Sequence, residues 1–282
     1  MRIDTMLAEG RTNSFEFFPP ITDEEQIALT RTLQELEDLK PSFVSVTYRG
    51  GSSSRDRTYA LVRWLREHGK VESMAHLTCV HHVREELVEI LEDYRSIGVE
   101  NLLALGGDPD PEHGQAGELR HAIELVELAR EVGGFSIGVA AHPAGHPLSP
   151  DLVTDRRHLA EKLRIADFAI TQLFFDAVAW RRLVDELGAL GVEKPVLPGI
   201  MPITTVASIG KMRDLGGIVP ESLVERLHAA QEDGPKAVRA EGVAASTELC
   251  EELLELGAPG LHFFTMNRST ATREIFASLQ HE

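Results

Sequence analysis

The chain has 282 residues, 43% of them hydrophobic and 26% charged, and a formal net charge of −17 at pH 7. This length suits one β/α barrel, and the composition is that of a globular protein able to bury a full core without disulfides or metals. The acidic balance excludes nucleic acid as a partner, because a phosphate backbone is gripped by clustered Lys and Arg. No window approaches the ~20 apolar residues of a membrane span, and residues 1–6 lack the apolar stretch of a secretion signal. Cys79 and Cys250 read as free core thiols, which fits a reducing cytoplasm.

In chain order, short apolar runs predict strands at 14–18, 43–48, 73–79, 101–105, 135–141, 168–175, 195–200 and 260–266. Amphipathic segments predict helices between them. The first, 23–39, opens with the capping pattern Thr22-x-x-Glu25 and carries Ala28, Leu29, Leu33, Leu36 and Leu39 on one side. Segments 57–68, 82–97, 117–132, 151–165 and 177–190 follow the same design, with Gly98, Gly133 and Gly191 as stops. The stretch 205–256 is long enough for two or three helices. Strands alternating with helices in this number predict an α/β protein, a (β/α)8 TIM barrel. No linker or repeat divides residues 1–282, so one domain is expected.

In such a barrel, chemistry gathers at the C-terminal strand ends. Glu16, Thr47, His76, Asp108, His142, Gln172 and Arg268 fall there. Glu16 stands in an apolar strand beside Phe15, Phe17 and Phe18, so burial is expected to raise its pKa into the range of a general acid. Asp108 follows a strand that stops in Gly106-Gly107, which lets a flat ligand approach the backbone; a turn before Pro109 explains it equally well. Gln172 offers a donor and an acceptor to a heterocycle edge, or is satisfied by backbone. The pairs His142/His146 and His81/His82 invite a metal reading, but the prolines forbid helical ligand spacing and no acidic ligand lies near, so no metal is expected. A Rossmann fingerprint, a P-loop and a nucleophile elbow are all missing from the sequence.

Several motifs occur in order: Phe15-Glu16-Phe17-Phe18-Pro19-Pro20, Phe43-Val44-Ser45-Val46-Thr47-Tyr48, Arg55-Asp56-Arg57-Thr58, His76-Leu77-Thr78-Cys79, Ala169-Ile170-Thr171-Gln172, Pro198-Gly199-Ile200-Met201-Pro202 and Phe263-Phe264-Thr265-Met266-Asn267-Arg268. Together they resemble the methylenetetrahydrofolate reductase family, in the barrel-only bacterial form. The resemblance implies reduction of 5,10-methylenetetrahydrofolate to 5-methyltetrahydrofolate with NADH or NADPH. It implies that Glu16 is the catalytic acid, that Asp108 binds the pterin and steadies positive charge, and that Gln172 and Arg268 contact substrate. Thr47, His76, Gly106, Gly107, His142, His146, Asp155, His158 and Lys162 match positions around the cofactor.

In most of this family FAD relays the hydride, and here the pattern departs. The usual Leu-Arg-Gly-Asp reads Leu105-Gly106-Gly107-Asp108; His142 and His121 replace tyrosines and His158 an asparagine. Where the family stacks nicotinamide or folate, Met212 replaces a phenylalanine and Ser208 a glutamine, and the resemblance implies that both contact substrate. A glycine is missing at Ile165-Ala166-Asp167, which is expected to bring an acid toward the flavin phosphates. Two lost phosphate contacts, each worth roughly 1.5–3 kcal/mol, weaken FAD about a thousandfold. The expectation is therefore direct transfer from NADH without tightly bound FAD. Retention of FAD with ping-pong kinetics, a deazaflavin-type donor, and a non-catalytic folate-binding barrel are the alternatives. Oligomeric state and NADH-versus-NADPH preference are not legible.

Overall fold

The computed structural model describes residues 1–48, 52–69, 71–107 and 117–279, with backbone alone at 52–54. Asp108 lies outside the described residues. The strands are β1 (Thr12–Phe17), β2 (Phe43–Val46), β3 (Glu72–Thr78), β4 (Asn101–Leu105), β5 (Ser136–Ala141), β6 (Phe168–Thr171), β7 (Val196–Leu197), β8 (Gly199–Ile200) and β9 (Gly260–Phe264). All pair in parallel, in the order β7-β6-β5-β4-β3-β2-β1-β9-β8. β7 and β8 are one strand interrupted at Pro198, whose missing N–H breaks the ladder while its carbonyl still accepts from His262 N at 3.0 Å. One half pairs with β6 and the other with β9, so the sheet is nearly closed with eight strand positions, as the sequence predicts.

The helices are α1 (Ile3–Glu9), α2 (Asp23–Glu37), α3 (Ser52–His68), α4 (Arg84–Ser96), α5 (Ala122–Val132), α6 (Leu152–Ile165), α7 (Ala177–Ala189), α8 (Ser208–Asp214), α9 (Glu221–Gln231), α10 (Pro235–Glu255) and α11 (Thr270–Leu279). The 205–256 stretch does hold three helices. The predicted strand 168–175 is shorter than expected, ending at Thr171.

Period-two alternation sorts the strand residues into two cores. One face of each strand packs under the helices, with Phe15, Phe17, Val44, Val46, Ala75, Leu77, Ile137 and Phe263 in the large cluster. The other face points into the barrel, where Phe43, Met74, Leu103, Phe168, Ile170 and Leu197 fill the lower half. Ile3 of α1, fully buried, joins them. Sequence reading did not foresee α1: its apolar residues are few, and its worth comes from closing the bottom. Ile3 N donates to Asn101 Oδ1 at 2.8 Å and Asp4 N to Ser136 Oγ at 3.0 Å.

Candidate active site

Above the apolar filling, the inward face turns polar. Ser45 and Thr47 continue the Phe43 face of β2, Thr78 and His76 the Met74 face of β3, and Ser14 and Glu16 share the face of β1 opposite Phe15 and Phe17. The buried atoms Ser45 Oγ, Thr47 Oγ1, His76 Nε2, Thr78 Oγ1 and His262 Nε2 have no hydrogen-bond partner. Leaving buried polar atoms unpaired costs about 1–3 kcal/mol each, so this many on one inner wall mark a seat for a polar ligand or water.

Glu16 is the centre of this wall. Its Oε2 lies 3.5 Å from His76 Nε2 and 3.5 Å from His262 Nε2. Burial pushes the carboxyl upward, but the rings of His262 and His76 outweigh it and hold Glu16 below the usual carboxylate range. This corrects the expectation of a raised pKa. The aromatic neighbours in sequence, Phe15 and Phe17, point to the other side of the strand, and Glu16 meets imidazoles instead. His76 is pushed down to about 4 by burial, so it is neutral at neutral pH. His262, fully buried, is held through Nδ1 by Ser14 Oγ at 2.8 Å.

The segment after β9 fixes the height of Glu16. Thr265 Oγ1 donates to the Glu16 carbonyl at 2.6 Å. Asn267 clasps Phe18, accepting from its N–H at 2.8 Å and donating to its carbonyl at 3.0 Å. To do so Met266 and Asn267 both adopt left-handed backbone, φ 50° and 58°. Non-glycine residues persist there only when surrounding bonds over-determine them.

Other expected positions follow the strand ends, His158 excepted. Thr47 follows β2 and donates its N–H to Phe17 O at 2.9 Å. Gly107 has φ +83°, and a Cβ there would collide with Val80; Gly106 has no such constraint, its nearest neighbour being Ala122 N at 3.9 Å. His142 sits at the tip of β5, half-buried and pushed down to about 4 by burial. It meets His146 edge to face at 4.7 Å. Gln172, just past β6, accepts from Leu173 N–H through its Oε1 at 2.9 Å. Arg268 is exposed beyond β9, and His158 is exposed on α6.

One position, Asp167, sits differently from the picture drawn from sequence, and Met212 and Ser208 have local partners. Met212 is buried in a satellite cluster with Leu173, Met201 and Ile203, and Ser208 caps its own turn by donating to Thr205 O at 2.9 Å. Asp167 lies at the N-terminal ends of the strands, where it accepts from Ile137 N at 2.8 Å and pairs with Arg130 at 2.7 Å. It therefore faces the rim opposite the mouth and brings no charge to a bound phosphate. Sequence reasoning missed His262, Ser14, Ser45 and Thr78. Stepping by two from Glu16, Thr47 and His76 would have found the last three.

Among the described residues no cluster of three His, Cys, Asp or Glu could hold a metal, and no helix is long and apolar enough to cross a membrane. The family model for methylenetetrahydrofolate reductase matches residues 2–280. The 5,10-methylenetetrahydrofolate reductase of Pectobacterium carotovorum subsp. carotovorum is 34% identical over 273 residues, covering 96% of this chain and 91% of that protein. That of Escherichia coli (strain K12) is 33% identical over 273 residues, covering 96% and 92%. Methylenetetrahydrofolate reductase (NADH) 1 of Arabidopsis thaliana is 33% identical over 300 residues, with 99% of this chain spanning 50% of that longer protein. The barrel is similar, with a TM-score of 0.68 at 14% identity over 97% and 96% of the two chains, to a Clostridium thermocellum protein that binds two copies of 5-methyl-5,6,7,8-tetrahydrofolic acid. A fold, a polar inner wall and relatives of matching length agree: the chain belongs to the methylenetetrahydrofolate reductase family of oxidoreductases.

Proposed function

We propose that this chain reduces 5,10-methylenetetrahydrofolate to 5-methyltetrahydrofolate by hydride transfer directly from NADH or NADPH, both bound in the barrel mouth at once. The observation that carries the chemistry is Glu16 between two buried imidazoles on the inner wall. A proton from this cluster goes to N10 of the folate, the C–N bond of the five-membered ring breaks, and the electron pair stays on N10. The iminium carbon left on N5 takes a hydride from the nicotinamide, giving the methyl group and the oxidised dinucleotide. Glu16 is ionised in the free protein. Substrate covering the mouth removes water and shifts the shared proton toward the carboxyl, because desolvation disfavours the charged form. The orphaned hydroxyls of Ser45, Thr47 and Thr78 suit the polar edge of a pterin. Asp108 and Gln172 are proposed as its further contacts, and Arg268 as a rim cation for the folate's carboxylates.

The donor set along β4–β6 does not suit the pyrophosphate of a resident flavin. Gly106 offers no side chain. Lys162 donates to Ala140 O at 3.3 Å, and burial holds its pKa below the ordinary lysine value. The carboxylate of Asp155 is taken up by Arg156 at 2.6 Å and His146 N at 3.0 Å. No step above therefore runs through a flavin. The test is stopped-flow mixing of the purified protein with NADH, with and without methylenetetrahydrofolate. Oxidation of NADH only when the folate is present is the expected result. A yellow protein that bleaches on NADH alone favours a flavin relay, and no oxidation in either arm sinks the reading.

A further inference from the structure

We propose that Arg156, on α6, is a positioning residue for the dinucleotide, acting through the loop that carries His142 and His146. The inference rests on the reading above. Arg156 is 3% exposed, and its guanidinium is used on every side. Nη1 donates to His142 O at 3.0 Å and to Asp155 Oδ2 at 2.6 Å, and Nη2 donates to Pro143 O at 2.7 Å. Nε donates to Glu186 Oε2 of α7 at 2.7 Å. Asp155, so oriented, accepts from His146 N at 3.0 Å through its other oxygen. One planar cation thus fixes the main chain at 142, 143 and 146 and registers the loop against α7.

Burying a charge with two carboxylates is an expensive way to fill space, and well-packed apolar residues would do so at less cost. What the guanidinium supplies is a fixed fork that meets consecutive carbonyls in one geometry. The loop it fixes presents the edge-to-face pair His142–His146 at the tip of β5. In the strand order β5 is four positions from β1, so this pair stands across the mouth from Glu16. Folate must lie against the proton donor, which leaves the β5 side to the ring system that brings the hydride. Two imidazoles with a fixed mutual angle make a stacking surface for a nicotinamide or adenine ring.

The experiment measures NADH affinity by fluorescence titration without folate, then steady-state constants for both substrates, in wild type, Arg156→Lys, Arg156→Leu and Glu186→Gln. Arg156→Leu is expected to weaken NADH binding and raise the KM for NADH about tenfold, with the KM for methylenetetrahydrofolate unchanged. Arg156→Lys keeps the charge and loses the fork, so it should fall between. If Arg156→Leu fails to fold, the Lys and Glu186→Gln variants decide. Unchanged NADH affinity in folded variants, or a rise confined to the folate KM, overturns the proposal. A wild type that binds NADH and does not reduce the folate sinks the proposed function but leaves the Arg156 comparison intact; a wild type that binds no NADH overturns both.

Discussion

His262 meets Glu16 through one ring nitrogen, at 3.5 Å, while Ser14 holds the other at 2.8 Å. The Ser14 hydroxyl also lies 3.4 Å from the Leu261 carbonyl, to which it donates. Its oxygen is then free to accept Nδ1–H, which leaves Nε2 turned toward the carboxyl. In the proposed reaction a proton bridges Nε2 and Oε2 before it passes to the folate. That proton is the one catalysis needs. Glu16→Gln is therefore expected to lower kcat by about 10²–10⁴-fold, within the range of general acid catalysis, while NADH binding stays intact. His262→Asn and Ser14→Ala should lower kcat by about tenfold or more, with little change in either KM. Steady-state kinetics with both substrates checks this, and wild-type turnover in Glu16→Gln would remove Glu16 from the mechanism.

The two glycines after β4 separate backbone demand from cofactor chemistry. Gly107→Ala puts a Cβ at φ +83° against Val80 and should cost about 1–3 kcal/mol in a denaturant melt. Gly106→Ala meets nothing closer than 3.9 Å and should leave stability nearly unchanged. Gly106→Arg then tests the missing guanidinium. The wild type is expected to purify colourless, and the arginine variant to gain affinity for added FAD by about tenfold or more, as one charge-assisted bond to phosphate allows. Equal FAD affinity in the two proteins, read by flavin fluorescence quenching, would show that the arginine does not explain the difference.

The barrel was legible because strands and helices in this chain keep their own hydrophobic periods almost throughout. The plug helix was not: Ile3, Met6 and Leu7 give too short a pattern, and only the open barrel bottom lends it value. Pro198 splits a strand that composition alone presents as continuous. At the site, Glu16 was visible as a carboxylate in an apolar run, but its surroundings were misjudged, since chain neighbours Phe15 and Phe17 face away. His262 comes from 246 positions along the chain, and no local pattern announces such a partner. Asp167 was placed at the wrong rim because a residue just before a strand lies at the strand's N-terminal end, far from the mouth.

Asn267 is the latch that sets Glu16 at its height, and its removal separates strain from hydrogen bonding. Asn267→Ala loses both bonds to Phe18 and keeps the left-handed backbone at φ 58°, so a loss of about 2–4 kcal/mol is expected. Asn267→Gly loses the bonds and relieves the strain, so it should recover about 1 kcal/mol of that loss. Chemical denaturation of the three proteins measures both steps. Equal stability of the Ala and Gly variants would mean that the backbone conformation carries no cost here.

Acid should loosen the protein through the buried imidazoles before it reaches the carboxylates. His76 is pushed down to about 4 in the folded chain, and an unfolded histidine titrates near ~6.5. Between those values the unfolded state binds the proton and the folded state does not, so stability falls as pH drops through that window. The slope from His76 is at most ~1.4 kcal/mol per pH unit. His142, also pushed down to about 4 but half-buried, adds a smaller contribution of the same sign. Glu16, held below the ordinary carboxylate range, acts in the same direction only at lower pH, below the ordinary carboxylate pKa, where the unfolded chain takes up the proton and the folded one does not yet. Thermal melts from about pH 7 down to about pH 4.5 should show the decline in wild type and a flatter profile in His76→Gln. Identical profiles would mean that His76 takes up its proton inside the folded barrel.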